Sequence, residues 1–200
     1  MHPNKAFDWS DREQMLRFAA ERSFAHIFTA HSEALFVVHA PILVTESGAI
    51  RFHVSRRNRI AEHLAENRLM ISVSGRDAYQ SANWYVSDNQ VPTWHYETVE
   101  IEGVARQLAE EELVELLDAL SEQFEGIHSP KAPWTRAKME PGKFEAMLRA
   151  IVGFEVEPTD VRGTRKFNQH KMDEDLEATI QGQETAGRDD IVAAIAEARK

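Results

Sequence analysis

Leu35-Phe-Val-Val-His-Ala-Pro-Ile-Leu-Val44, the turn Glu46-Ser-Gly48 and Ile50-Arg-Phe-His-Val-Ser55 decide the fold class of this chain. Two apolar runs separated by a hairpin-sized polar turn read as neighbouring antiparallel strands. Side chains alternate along a strand, so Ile50, Phe52 and Val54 share one face while Arg51, His53 and Ser55 share the other. Pro41 has no backbone N–H to give to a ladder, which predicts a bulge or an edge at that point of the run.

Outward from this hairpin the same reading finds more strands. Phe24 to Thr29 precedes it, and Leu69, Ile71 and Val73 mark a fourth strand. A fifth is expected near Ala82–Val86, a long sixth from about Trp94 to Gln107, and a last one over Ile151–Val156. Helices are expected from Ser10 or Asp11 to about Arg22, over Arg59–Glu66 behind an Asn58 cap, over Glu110–Phe124 and near Pro141–Ala150. Leu113, Leu116, Leu117 and Leu120 form one stripe of the Glu110 helix, with Glu110, Glu111 and Glu112 in the first turn, where the helix dipole favours negative charge. Many short strands joined by few helices argue against a parallel α/β sheet. They favour a closed or partly closed antiparallel barrel with helices outside. Residues 1–172 are read as that domain and residues 173–200 as a C-terminal helical tail, either docked or loosely ordered.

Composition bounds the function. The chain has 200 residues and no cysteine, which removes disulfides, thiolate metal sites and a cysteine nucleophile. Its formal net charge of −10 weighs against direct DNA binding, which relies on Lys and Arg to neutralise phosphates. No apolar segment has signal-peptide or membrane-span character, so a cytoplasmic protein with no membrane partner is expected. P-loop, Gly-x-Gly-x-x-Gly, His-Glu-x-x-His and Gly-x-Ser-x-Gly motifs are all absent. The nine histidines form no compact zinc motif, so no metal site is expected.

Two segments can carry ligand chemistry. At the exit of the Ile50 strand, His53, Ser55, Arg56, Arg57 and Asn58 combine guanidinium forks, a hydroxyl and a turn into a helix, a set suited to phosphate and equally to a solvated strand end. Ser81-Ala-Asn-Trp-Tyr85 and Pro92-Thr-Trp-His-Tyr96 put Trp84, Tyr85, Trp94, His95 and Tyr96 in one stretch, either aromatic core or the wall of a flat ligand's site. His39 is a further strand histidine, with a structural or a ligand-facing role.

The order of these motifs closely resembles the PaiB-like proteins, described as FMN-binding negative transcriptional regulators. Ser81-x-x-Trp-Tyr85, Val91-Pro-Thr-Trp-x-Tyr96, Ile151-Val-Gly-Phe-Glu155 and Lys166-x-x-Gln-x-Lys171 carry it, with His39-x-Pro41 and His53-x-x-Arg-x-Asn58. It runs over about residues 3 to 172. The resemblance implies an antiparallel split β-barrel of six or more strands with flanking helices, related to pyridoxamine-phosphate oxidases. It also implies a homodimer with FMN in clefts at the subunit interface. His53, Arg56 and Asn58 would then lie on the flavin phosphate side, Trp84, Tyr85, Trp94 and Tyr96 would line or support the cleft, and Lys166 and Gln169 would approach from the C-terminal segment. The chain departs from the family pattern at Phe52, His95 and Asn168-Gln-His170. An FMN-dependent oxidoreductase or regulatory flavoprotein leads; alternatives are a transcriptional regulator acting directly on DNA and a haem-binding or haem-degrading relative using His95 or His170. No residue stands out as the catalytic acid or base.

Overall fold

The computed structural model describes residues 2–128 and 132–199. Its strands are β1 (Asp8–Trp9), β2 (Phe24–His31), β3 (Ala34–Val44), β4 (Ile50–Ser55), β5 (Arg68–Gln80), β6 (Thr93–Gln107), β7 (Ile151–Val156) and β8 (Asp160–Lys166). The helices are α1 (Arg12–Arg22), α2 (Glu110–His128), α3 (Lys143–Leu148), α4 (Asp173–Thr185) and α5 (Asp189–Ala198). Strand order is β1-β8-β6-β5-β2-β3-β4-β7, and β6 also pairs with β7, so six strands form a closed antiparallel cycle. Closure removes the open edges that a sheet of this kind would otherwise expose. Among the described residues no helix is long and apolar enough to cross a membrane.

The chain divides into two compact units. The barrel unit comprises Leu16–Val73 and Glu100–Val161. Ile27, Ile42, Ile50, Phe52, Ile71, Ile101, Phe154 and Val156 fill its interior. Phe52 and Phe154 are register partners whose rings stack at 5.6 Å. A second layer forms where α2 lays Leu113, Leu116 and Leu120 against Leu43, Leu108, Leu148 and Ile151. Gly153 makes that approach possible, because a Cβ there would come within 2.9 Å of both Leu108 and Leu113. Arg51, on the outward face of β4, bonds Glu155 and lies within 4.0 Å of Glu112 and 3.7 Å of Glu115 on α2.

Pro41 is neither a bulge nor an edge. The β2 ladder ends at Phe24↔Pro41 and the β4 ladder begins at Ile42↔Phe52, so the residue without an N–H stands where β3 changes partners. The Arg59–Glu66 helix contracts to a single 3-10 turn over Ala61–His63.

The terminal unit comprises Met1–Met15, Ser74–Val99 and Arg162–Lys200. Here α4 and α5 dock Leu176, Ile191, Ala194 and Ile195 on Ala78 and Phe167, so the tail is a packed helical pair. The strand expected at Ala82–Val86 is a 3-10 turn over Ala82–Trp84, with Ser81 Oγ accepting from Asn83 N. The next backbone donors leave the sheet: Val86 N and Ser87 N both give their hydrogens to Asp175 Oδ1 at 2.9 Å. Two strands went unexpected, β1 and β8, which pair Asp8 with Thr164 and Trp9 with Gly163.

Candidate functional site

In the barrel unit, β4 delivers its polar face to the strand exit. His53 Nδ1 is buried with no hydrogen-bond partner among the described residues, and burial lowers the pKa of the ring, which favours the neutral imidazole. Arg56 is held by two carbonyls beyond α3: its N–H bonds Ala150 O at 2.9 Å and its Nε bonds Arg149 O at 3.1 Å. Ser55 Oγ accepts from Arg57 N at 3.2 Å, and Asn58 Oδ1 accepts from Ile60 N at 3.2 Å. The chain therefore turns tightly and leaves Ser55, Arg56 and Arg57 exposed. The helix whose dipole was expected to assist an anion is reduced to a 3-10 turn, which leaves the guanidinium groups as the charged donors of this segment. Arg59 is committed elsewhere, its guanidinium 5.4 Å from the Phe36 ring centroid.

His39 stands on the outward face of β3, directly opposite His26, with the rings edge-on at 4.7 Å. Phe24, Phe28, Leu35 and Val37 are exposed on the same two strands. Period-two alternation puts them on the face shared by the two histidines.

In the terminal unit the aromatic segment sorts into interior and surface groups. His95 is fully buried, its Nε2 2.9 Å from Gln80 Oε1, its Nδ1 3.3 Å from Lys166 O, and its ring stacked on Phe167 at 5.9 Å. Burial pushes its pKa down to about 4; the Lys166 carbonyl works against that shift and the Lys166 charge adds to it. A neutral ring carries one N–H, and the shorter contact assigns it to Nε2, since Gln80 Nε2 donates to Ser81 O and turns Oε1 towards the ring. Both nitrogens are thus turned to protein acceptors, and no face of His95 reaches solvent. Trp84 is also engaged, lying so close to α4 that a Cβ at Gly182 would fall 2.3 Å from its ring. Gln169 staples backbone together: Nε2 donates to Ala6 O and Arg165 O, and Oε1 accepts from Phe167 N.

Trp94, Tyr96 and Lys166 remain nearer the surface. Trp94 is 54% exposed and meets Tyr79 edge-on at 6.0 Å. Lys166 Nζ donates to Thr93 Oγ1 at 2.6 Å and lies 5.9 Å from the Tyr96 ring centroid, and burial lowers its pKa. Tyr85 accepts from Asn168 Nδ2 at 2.9 Å, and burial pushes its phenol pKa up. Sequence reasoning missed three features of this unit. Asp175 clamps the 86–87 turn. Glu97, 3% exposed, is gripped by Arg76. Arg165 lies over the Trp9 ring at 3.4 Å. Their partners are distant in sequence, so no local signal announces them.

The barrel cycle agrees with comparisons to known proteins. The sequence model of the family described as "Putative FMN-binding domain" matches residues 1–160. The chain belongs to this family. It is 28% identical over 187 residues to the protease synthase and sporulation protein PAI 2 of Bacillus subtilis (strain 168), covering 90% of this chain and 88% of the relative. Among solved structures, the FAD and heme binding protein of Mycobacterium smegmatis superposes with a TM-score of 0.60 at 16% identity, over 80% of this chain and 73% of that one. The flavocytochrome Anf3 of Azotobacter vinelandii gives 0.59 at 13% identity, over 83% and 72%. At these identities the likeness is one of fold, and the fold is that of split-barrel flavoproteins.

Proposed function

We propose that this member of the FMN-binding family works as a homodimer that binds FMN and uses it in a redox or regulatory role. The observation that carries the reading is at the β4 exit. A buried imidazole nitrogen without a protein partner sits two residues before Ser55 and three before Arg56, beside a second exposed guanidinium on Arg57. A buried polar atom left unpaired costs about 1–3 kcal/mol, which a ligand donor at His53 Nδ1 would relieve.

In this reading Arg56 and Arg57 neutralise the flavin phosphate, with Arg56 pre-aimed by its bond to Arg149 O. Ser55 and Asn58 add polar contacts. His53 stays neutral and offers a lone pair or an N–H without competing for the phosphate charge. Bound FMN supplies the redox chemistry, while the protein orients it and sets its electrostatic surroundings. Trp94, Tyr96 and Lys166, in the terminal unit, are assigned to the flavin by resemblance and are tested separately by substitution. His95 and Trp84 support the fold around that segment.

Dimerisation is supported by the outward face of β2 and β3. Phe24, Phe28, Leu35 and Val37 are 52%, 41%, 80% and 42% exposed, which makes an apolar patch of the kind that marks self-association. The Bacillus relative is named a protease synthase and sporulation protein, and that link to sporulation favours a regulatory role. With a net charge of −10, that role is best exercised through a metabolite or protein partner rather than through DNA. Titration of FMN and riboflavin into the wild type and Arg57→Ala tests the assignment. FMN should bind more tightly than riboflavin, and the substitution should erase the difference; equal affinities in the wild type would refute the phosphate role.

A further inference from the structure

We propose that the terminal unit carries a ligand site of its own, suited to a small carboxylate that also bears an amine, the α-amino acid class. A cavity of about 480 Å³ is lined by Asp8, Trp9, Gln14, Arg165, Gln169 and Glu197, among others. This is room for a compact metabolite.

The cavity is lined by one cation, Arg165, set among the carboxylates of Glu97, Glu197 and Asp11. The Arg165 guanidinium carbon lies over Trp9, 3.4 Å from the ring centroid, a cation–π contact that holds the group in place. Its Nε is buried without a hydrogen-bond partner among the described residues. The nearest carboxylate, Glu97, stands 3.5 Å away and already accepts from Arg76 Nε at 2.7 Å. Gln169 holds the backbone of this wall by its bonds to Arg165 O and Phe167 N. A guanidinium held against an aromatic ring, with its Nε making no hydrogen bond, presents a planar fork that matches the two oxygens of a carboxylate.

The other charges on the walls narrow the choice. Asp8 is exposed beside Trp9 in β1, and Glu197 accepts from Arg76 at 2.7 Å. Two carboxylates facing the same space repel a phosphate dianion or a dicarboxylate. They accept a ligand whose single negative charge is matched by an ammonium, with Asp8 as the partner for that group. This site is independent of the flavin reading, since none of the residues that the proposed function assigns to the flavin lines the cavity and its readout needs no flavin.

The full-chain protein, as purified, is titrated separately with glycine, L-leucine, sodium acetate and sodium phosphate. NMR follows the Trp9 indole N–H and the Arg165 Nε–H. Glycine or L-leucine should give saturable shifts at both groups with a Kd of about 1 mM or tighter, and acetate should bind at least about tenfold more weakly. Phosphate should give no response. Arg165→Gln should abolish the shifts, and Arg165→Lys should weaken them by losing the fork. Asp8→Asn, a change at an exposed position, should bring the amino acid down to the affinity of acetate. The proposal is overturned by the absence of saturable shifts with either amino acid, or by an equal or stronger response to acetate or phosphate. An unaltered preference in Asp8→Asn overturns it as well.

Discussion

His95→Gln makes the clearest test of how the terminal unit is held together. In the folded chain burial lowers the pKa of His95 from its ordinary 6.5 to about 4, whereas the unfolded chain titrates near the ordinary value. The unfolded state therefore takes up a proton first as pH falls. The stability that neutral His95 contributes is complete above pH 6.5 and drains away as pH falls to about 4. A difference of roughly 2.5 pH units at 1.36 kcal/mol each is about 3 kcal/mol, a large part of an ordinary domain's stability. Glutamine can still donate to Gln80 Oε1 but does not titrate, and its loss of the Phe167 stack should cost about 1–2 kcal/mol at neutral pH. The assay is urea unfolding of both proteins at intervals from pH 7.5 to 4. The wild type also contains His53 and His170, each with a lowered pKa, and these contribute in the same direction. They are common to both proteins and cancel in the difference. The gap between the two curves should change by about 3 kcal/mol as pH falls, so that the variant, the less stable protein at pH 7.5, becomes the more stable one by about 1–2 kcal/mol at pH 4, and parallel curves would refute the assignment of a neutral, sealed His95.

Gly182→Ala should destabilise by about 1–3 kcal/mol and change the near-UV circular dichroism of Trp84, because the new Cβ would meet the indole at 2.3 Å. The sign is diagnostic, since the same change in an exposed helix interior stabilises by about 1 kcal/mol. Arg57→Ala should weaken FMN by about tenfold or more and leave riboflavin unchanged, measured by quenching of flavin fluorescence. Leu35→Glu combined with Phe28→Glu should shift the protein from dimer to monomer in light scattering; an unchanged mass would move the interface off the β2/β3 face. Lys166→Ala should lower FMN affinity if Lys166 meets the flavin, and an unchanged titration would remove it from the site.

The parts of the fold that were legible in sequence are those where pattern and burial agree locally. Ile50–Ser55 and Ile151–Val156 were read with their observed limits, the first from strict alternation of apolar and polar residues and the second from a short, mostly apolar run. The leucine stripe of α2 was equally plain. β8 was missed because Asp160-Val-Arg-Gly-Thr-Arg-Lys166 has little apolar content. Its place is set by distant neighbours, with Gly163 fitted closely against Trp9 and Met15. The Ala82–Val86 segment misled because its aromatics have strand propensity, while Asp175, far along the chain, takes the backbone donors that a ladder would need.

For the candidate site, contiguity was the deciding factor. His53 to Asn58 is one stretch, so its suitability for an anion could be weighed from the sequence. The aromatic segment could be located but not sorted, because alternation says that Trp94 and His95 face opposite ways without saying which way is inside. Only the packing shows that His95 belongs to the interior and Trp94 to the surface. Arg165 on Trp9 and Arg76 on Glu97 join residues that no local motif connects.

The central claim is that the chain binds FMN through the exit of β4. The most direct measurement is the absorbance spectrum of protein purified without added flavin, followed by FMN titration of the wild type and of Arg56→Ala with Arg57→Ala. The account predicts flavin absorption bands or saturable FMN binding in the wild type, and a loss of affinity of about a hundredfold in the double variant. Colourless wild-type protein that leaves FMN fluorescence unchanged, or a double variant that binds as well as the wild type, would contradict it.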